Sequence, residues 1–335
     1  MPDDKAAEST KTDQAQVFAR RYEILRPLGR GGMGKVFLVK DLETGRRLAL
    51  KMLRSQYQQN DKIVARFRRE IETVRQLDHP CIVKIFDADT YSGMTYYTME
   101  YIKGKSLRQW RIERGRLRFS AVVRVLCLVA HALDHAHRVT IHRDISPENI
   151  MVLPDGGVRI LDFGLAKLDD ANEGLTIVGM NLGKLQYNAP EQHKDAANAD
   201  HRADIYPLGV MFYEMLTGRL PDKKHHFSEL RPDLPPECDA FLEKAMAFDR
   251  EERFATAADF HRELLALYNL HQERRKARQE AERIAAERPR KWYDGLRPAA
   301  LVVWVKGRLG KPPPPVVEEE PDEEDAEPVR TATPD

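Results

Sequence analysis

Two short polar stretches constrain this 335-residue chain more than anything else in it. The first is His142-Arg143-Asp144-Ile145-Ser146-Pro147-Glu148-Asn149. The second, Asp162-Phe163-Gly164, directly follows the strand-like run Val158-Arg159-Ile160-Leu161. Asp144 and Asn149 share a segment closed by Pro147, which predicts a tight loop with both side chains directed into one cleft. Gly164 lets the chain leave its strand at an angle that residues with side chains disfavour. Asp144, Asn149 and Asp162 thus supply a base and oxygen donors on neighbouring loops. A hard cation such as Mg²⁺ takes one or two carboxylates together with phosphate oxygens. That set predicts phosphoryl transfer, in which a carboxylate orients the attacking hydroxyl beside the metal. A chance polar loop beside a core strand accounts for either stretch alone, but not for both in order.

The bulk numbers narrow the alternatives. Lysine plus arginine total 54 and aspartate plus glutamate 53, a balance that argues against a dedicated nucleic-acid binder. Cys81, Cys127 and Cys238 are far apart, without metal-ligand spacing, and read as reduced thiols of a cytoplasmic protein. Met1-Pro2-Asp3-Asp4 opens no signal segment, and the run Pro298 to Val305 is too short to span a bilayer.

Residues 1–20 lack apolar periodicity and are expected to form a disordered leader. Gly29, Gly31 and Gly34 lie between strand-like runs, where glycine lets a hairpin approach a polyphosphate closely. No helix follows, which speaks against a Rossmann turn. Leu48–Leu53 predicts a strand carrying Lys51, and a lysine there needs a partner. A helix is expected from about Asp61 to Leu77, with Ile63, Phe67, Ile71, Val74 and Leu77 on one stripe. Strands are expected at 82–86 and 96–99, a short helix from Ser106, and a longer one capped by Ser120. Later helices are placed at Phe241–Ala247 and Thr256–Leu270. His131 and His135 stand at zinc-binding spacing, but no acidic or cysteine third ligand accompanies them. Residues 271–310 read as a charged, solvated helix followed by a short apolar segment around Trp292, Tyr293 and Leu301–Val305, which docks on the domain or on a partner. Residues 311–335 read as a proline-rich spacer and an acidic disordered tail.

Taken together, the motifs from about Tyr22 to Leu270 resemble the eukaryotic-like serine/threonine protein kinases of bacteria. The resemblance implies an α+β, bilobal protein kinase fold: a small antiparallel-sheet N-lobe with one main helix at 21–99, a hinge at 100–104 and a larger helical C-lobe at 105–270. It implies ATP with Mg²⁺, or Mn²⁺ in its place, and protein substrates. Lys51 would contact the nucleotide phosphates while paired with Glu70. Asn149 and Asp162 would hold the metal, and Asp144 would take the hydroxyl proton. Val36, Ala49 and Met151 would sandwich the adenine, Met99 would limit the pocket behind it, and the backbone at Glu100 and Ile102 would bond its edge. Glu191 would pair with Arg253, and Asp204 would brace the catalytic loop. Arg143 would receive a phosphate placed on Thr176 of the activation segment. The chain departs from the family at Ser146, where lysine is usual, at Lys184, where threonine is usual, and at Pro207, where serine is usual. Ser146 and Lys184 keep one hydroxyl and one cation with positions exchanged, so Lys184 is expected to replace the missing catalytic cation. The same departures admit a second reading, a pseudokinase-like scaffold that binds nucleotide with weak or no transfer.

Overall fold

A computed structural model describes residues 16–30, 34–163, 185–195, 198–222 and 224–287. The first lobe is a twisted antiparallel sheet. Its strands are β1 (Val17–Phe18), β2 (Tyr22–Arg30), β3 (Gly34–Asp41), β4 (Arg47–Leu53), β5 (Ile85–Tyr91) and β6 (Met94–Glu100), in the order β1-β2-β3-β4-β6-β5. Two helices separate β4 from β5: α1 (Ser55–Gln58) and α2 (Asp61–Arg75). Asn60 caps α2, its side chain accepting from the amides of Lys62 and Ile63. The apolar stripe Ile63, Phe67, Ile71 and Val74 is buried, as its helical spacing dictates.

Strand alternation divides this lobe into two apolar layers. Tyr96 packs with Phe18, Tyr22, Val39 and Leu50 on one face. Tyr97, its neighbour, packs on the other face with Ala49, Phe67, Ile71 and Met99, toward α2. The first strand begins at Val17, inside the stretch expected to be a leader, because Val17 and Phe18 pair with Glu23 and Tyr22 and Phe18 joins the core.

The second lobe is helical. It begins with β7 (Lys105–Ser106), α3 (Leu107–Arg114) and α4 (Phe119–Ala136), then β8 (Ile150–Val152) and β9 (Val158–Ile160). It continues with α5 (Pro190–Asp195), α6 (Ile205–Thr217), α7 (Phe227–Leu230), α8 (Glu237–Ala245) and α9 (Ala257–Glu287). Ser106 and Gln109 form a capping box at the start of α3. Arg118, not Ser120, stands at the N-cap of α4 and makes no side-chain cap bond. By length and composition α4 matches a membrane-spanning helix, yet 56% of it is buried in the domain, where it forms the centre of the core. α9 runs on to Glu287, past the end expected at Leu270, while the compact unit holding both lobes closes at Arg275.

The lobes are stitched by backbone. The Val83 amide donates to the Ile160 carbonyl at 3.0 Å, and the Ile160 amide to the Cys81 carbonyl at 2.8 Å. Ile82 and Val83, expected inside a strand, therefore belong to this junction, and the strand proper starts at Ile85. Beside the junction, His79 Nε2 and His131 Nδ1 lie 3.0 Å apart with the His135 ring close by. Burial, with the neighbouring imidazoles, pushes His79 down to about 4. Among the described residues no three histidine, cysteine or acidic side chains are grouped to hold a metal.

Candidate active site

One buried carboxylate shapes the loop that carries Asp144 and Asn149. Asp204, at the N-cap of α6 and fully buried, accepts from the His142 amide at 2.8 Å and the Arg143 amide at 2.6 Å. His137 Nε2 lies 2.9 Å from the same carboxylate. Burial works to raise this carboxyl, but the His137 bond and the backbone donors hold it below its ordinary value. The grip lets Arg143 keep a φ of +65°, a conformation that a non-glycine residue rarely adopts. Pro207 costs little in the first turn of α6, where its missing amide has no intrahelical acceptor.

His142 then ties the two polar loops together. Its Nδ1 accepts from the Asp144 amide at 3.2 Å, so its proton is assigned to Nε2, which donates to the Leu161 carbonyl at 2.8 Å. Its ring lies 4.5 Å from that of Phe163. Asn149 donates through Nδ2 to the Asp144 carbonyl at 2.7 Å and to Asp144 Oδ2 at 2.8 Å. The Leu161 amide returns to the Asn149 carbonyl at 2.8 Å, setting Asp162 beside that loop. Asp162 itself has φ +57°, an unusual backbone angle just past the end of β9, while Gly164, where such an angle was expected, lies outside the described residues.

Lys51, on β4 and 7% exposed at its side chain, donates to Asp162 Oδ1 at 2.6 Å. The Tyr97 hydroxyl donates to the same oxygen at 3.0 Å. The expected Lys51–Glu70 pair is not formed. Glu70 lies 3.5 Å from Arg66 on its own helix, and its Oε2 is buried without a hydrogen-bond partner. The reason is electrostatic: Asp162 already balances the buried ammonium, and burial pushes Glu70 up to about 7, against a weaker pull from Arg66.

The other predicted residues sort cleanly. Val36, Ala49, Met99 and Ile102 share one apolar cluster lining the cleft, and Met151 lies on β8, in register with Arg159. The Glu100 amide donates to the Lys84 carbonyl at 2.9 Å, so a nucleobase contact from Glu100 falls to its own carbonyl. A side chain at Gly34 would meet the Met52 carbonyl oxygen at 2.1 Å, so that glycine is needed by the β3–β4 approach itself. Gly29 has open space around it. Glu191 and Arg253 form a bidentate pair, both bonds 2.7 Å, with the arginine side chain wholly buried. Ser146 is buried, and its hydroxyl makes no hydrogen bond among the described residues. Gly31, Thr176 and Lys184 lie outside the described residues, as does the chain beyond 287.

Several partners escaped the sequence. Buried Glu214 receives Tyr187 and is approached by Arg111 at 2.8 Å and Arg108 at 3.3 Å. Arg159 reaches Glu100 at 3.3 Å. Tyr97 carried one usable signal, a phenol inside an apolar strand, which requires a hydrogen-bond partner.

A small sheet-rich lobe beside a helical lobe, with a lysine on the sheet and two aspartates and an asparagine on neighbouring loops, is the arrangement of the protein kinase class of folds. The comparisons agree with the geometry. The protein kinase domain model matches residues 22–275, and the chain belongs to that family. It is 38% identical over 275 residues to the probable serine/threonine-protein kinase PknB of Bifidobacterium longum, covering 74% of this chain and 40% of that protein. It is 34% identical over 267 residues to the serine/threonine-protein kinase PrkC of Bacillus subtilis, covering 74% and 41%. A crystal structure of the PknI kinase domain of Mycobacterium tuberculosis superposes with a TM-score of 0.61 at 29% identity, covering 76% of this chain and 98% of that domain. The chain thus spans about two fifths of the length of the curated relatives it matches.

Glu70 yields a pH prediction. The folded chain keeps its proton up to about 7, against 4.5 for the ordinary group. The cost of ionising it in place is absent below pH 4.5 and complete above 7, so this residue destabilises the fold as pH rises through that window. Glu70→Gln should stabilise the protein at pH 8 by roughly 2 kcal/mol more than at pH 5, measured by urea unfolding. Equal gains at both pH values would contradict the buried, protonated assignment.

Proposed function

We propose that this chain is an ATP-dependent protein serine/threonine kinase. The observation that carries the reading is the convergence of Lys51, Asp162, Asn149 and Asp144, joined by contacts of 2.6 and 2.8 Å. The names of its relatives support the hydroxyl-directed activity. In this reading Asp144 takes the proton of the substrate hydroxyl, and the Asn149 bond holds its carboxylate in place. Lys51 aligns the phosphates, and the Glu100 carbonyl and Ile102 backbone meet the adenine above Met151 and below Val36 and Ala49. Asp162 and Asn149 offer oxygen donors, a set that fits Mg²⁺ or Mn²⁺, whose remaining ligands are phosphate and water. The bound metal supplies neutralisation of phosphate charge. The proton stays with Asp144, and the rest of the catalysis is positioning by the chain's own groups. The need for ATP supports a cytoplasmic placement of the domain.

One observation favours the scaffold reading: Lys51 engages Asp162 while Glu70 stays apart. Transfer assays decide between the two. Wild-type protein with Mg-ATP should label itself or a generic protein, and Lys51→Met or Asp162→Ala should lower transfer by roughly 10²–10³-fold while circular dichroism stays unchanged. Nucleotide-stabilised protein that never transfers phosphate would favour the scaffold. Autophosphorylation is expected on Thr176, where Arg143 would receive the new charge. Mass spectrometry that finds Thr176 unmodified in labelled protein would count against that switch.

The Ser146–Lys184 exchange has a separate test. The buried Ser146 hydroxyl, without a hydrogen bond among the described residues, sits two residues from Asp144, which supports a partner arriving from another segment. Lys184→Thr should lower turnover by about 10²-fold, and adding Ser146→Lys should restore most of the loss. Merely additive effects in that double-mutant cycle would reject the exchange.

A further inference from the structure

We propose that Tyr97 is a positioning residue for Asp162, its buried hydroxyl pinning that carboxylate where a divalent cation is received. The inference rests on the reading of Asp162 as the metal carboxylate.

Tyr97 lies on β6, facing α2 and the cleft rather than the outer layer occupied by Tyr96. It is 1% exposed, and its ring lies 5.8 Å from that of Phe67 on α2. Its hydroxyl reaches Asp162 Oδ1 at 3.0 Å. A carboxylate oxygen has no proton to give in this bond, so the phenol is its donor. The small cavity behind Asp162 is walled by Ile71, Val74, Val83 and Ile85, which offer the hydroxyl no other polar side chain. Turning Asp162 away would therefore strand a buried donor, which is expensive.

The backbone of Asp162 needs such support. Its φ of +57° is one that a residue with a side chain holds only when its surroundings over-determine it. Lys51 grips the same oxygen at 2.6 Å, but its ammonium is a point charge on a flexible stem. Once Lys51 turns to phosphate oxygens, its grip on Asp162 is shared. The Tyr97 hydroxyl, on a rigid ring between sheet and helix, has no such second task. Nothing in the motif pattern marks Tyr97, since its role comes from one hydroxyl in an apolar wall.

The test is direct metal binding in the full chain, read without turnover. Bound Mn²⁺ is measured by electron paramagnetic resonance with a non-hydrolysable ATP analogue. Tyr97→Phe should move the Mn²⁺ midpoint to roughly tenfold higher concentration while keeping the ring and its packing. Ile63→Ala, in the same core layer but away from the hydroxyl, should lower the melting temperature and leave the midpoint in place. Asp162→Ala should remove the high-affinity binding. An unchanged or tighter midpoint in Tyr97→Phe, beside a lost one in Asp162→Ala, overturns the inference alone. An equal shift in Ile63→Ala overturns it as general softening. Wild-type binding in Asp162→Ala overturns the site assignment, and this inference with it.

Discussion

The structure depends first on the Asp204 carboxylate. A charge buried to this degree is costly unless donors surround it, and here they are the amides of His142 and Arg143 and the imidazole of His137. Each of those donors belongs to the segment that ends α4 and starts the catalytic loop. Helix α6 thereby dictates the backbone of a loop some sixty residues earlier, including the left-handed turn at Arg143. From that fixed turn His142 reaches Leu161, Asn149 reaches Asp144, and Leu161 returns to Asn149. A chain of short polar bonds, rather than apolar packing, sets the distance between Asp144 and Asp162.

The second balance lies in the cleft, around a single buried cation. Lys51 can be neutralised by Asp162 or by Glu70, and in this structure it is Asp162 that does so. Glu70 is left desolvated and holds its proton near neutral pH. The two carboxyls differ in their partners: Asp162 has the lysine and Tyr97 as donors, whereas Glu70 has Arg66 at 3.5 Å and a buried Oε2 without a hydrogen bond among the described residues. An exchange of Lys51 from Asp162 to Glu70 would release a proton from neither group if Glu70 were already ionised, and would require ionisation if it were not. Proton and cation are therefore coupled at this site.

What could be read from the sequence was the part written in short range. Asp144, Asn149 and Asp162 are near one another in the chain, so spacing and turn chemistry were enough to bring them together. The stripe Ile63, Phe67, Ile71 and Val74 was equally plain, because helical period is local. The Asp204 brace and the Glu191–Arg253 pair span long separations and came only from resemblance. Glu70 failed for the same reason in reverse: its family partner is known, but which of two carboxylates holds Lys51 is decided by burial and competing donors. Tyr97, Arg159 and the arginines around Glu214 lie in no motif, and their roles exist only after the sheet and helices have closed. The start at Val17 and the run of α9 to Glu287 show how weakly composition fixes an element's end.

The central claim is that the Asp162 and Asn149 side chains meet one divalent cation beside Asp144. A crystal structure of the chain with Mn²⁺ and a non-hydrolysable ATP analogue tests it most directly, through the anomalous signal of the metal. The account predicts a peak within coordination distance of an Asp162 carboxylate oxygen and the Asn149 amide oxygen, with Lys51 turned to the phosphates. Metal held by other side chains, or a nucleotide whose phosphates lie away from Asp162, would contradict it.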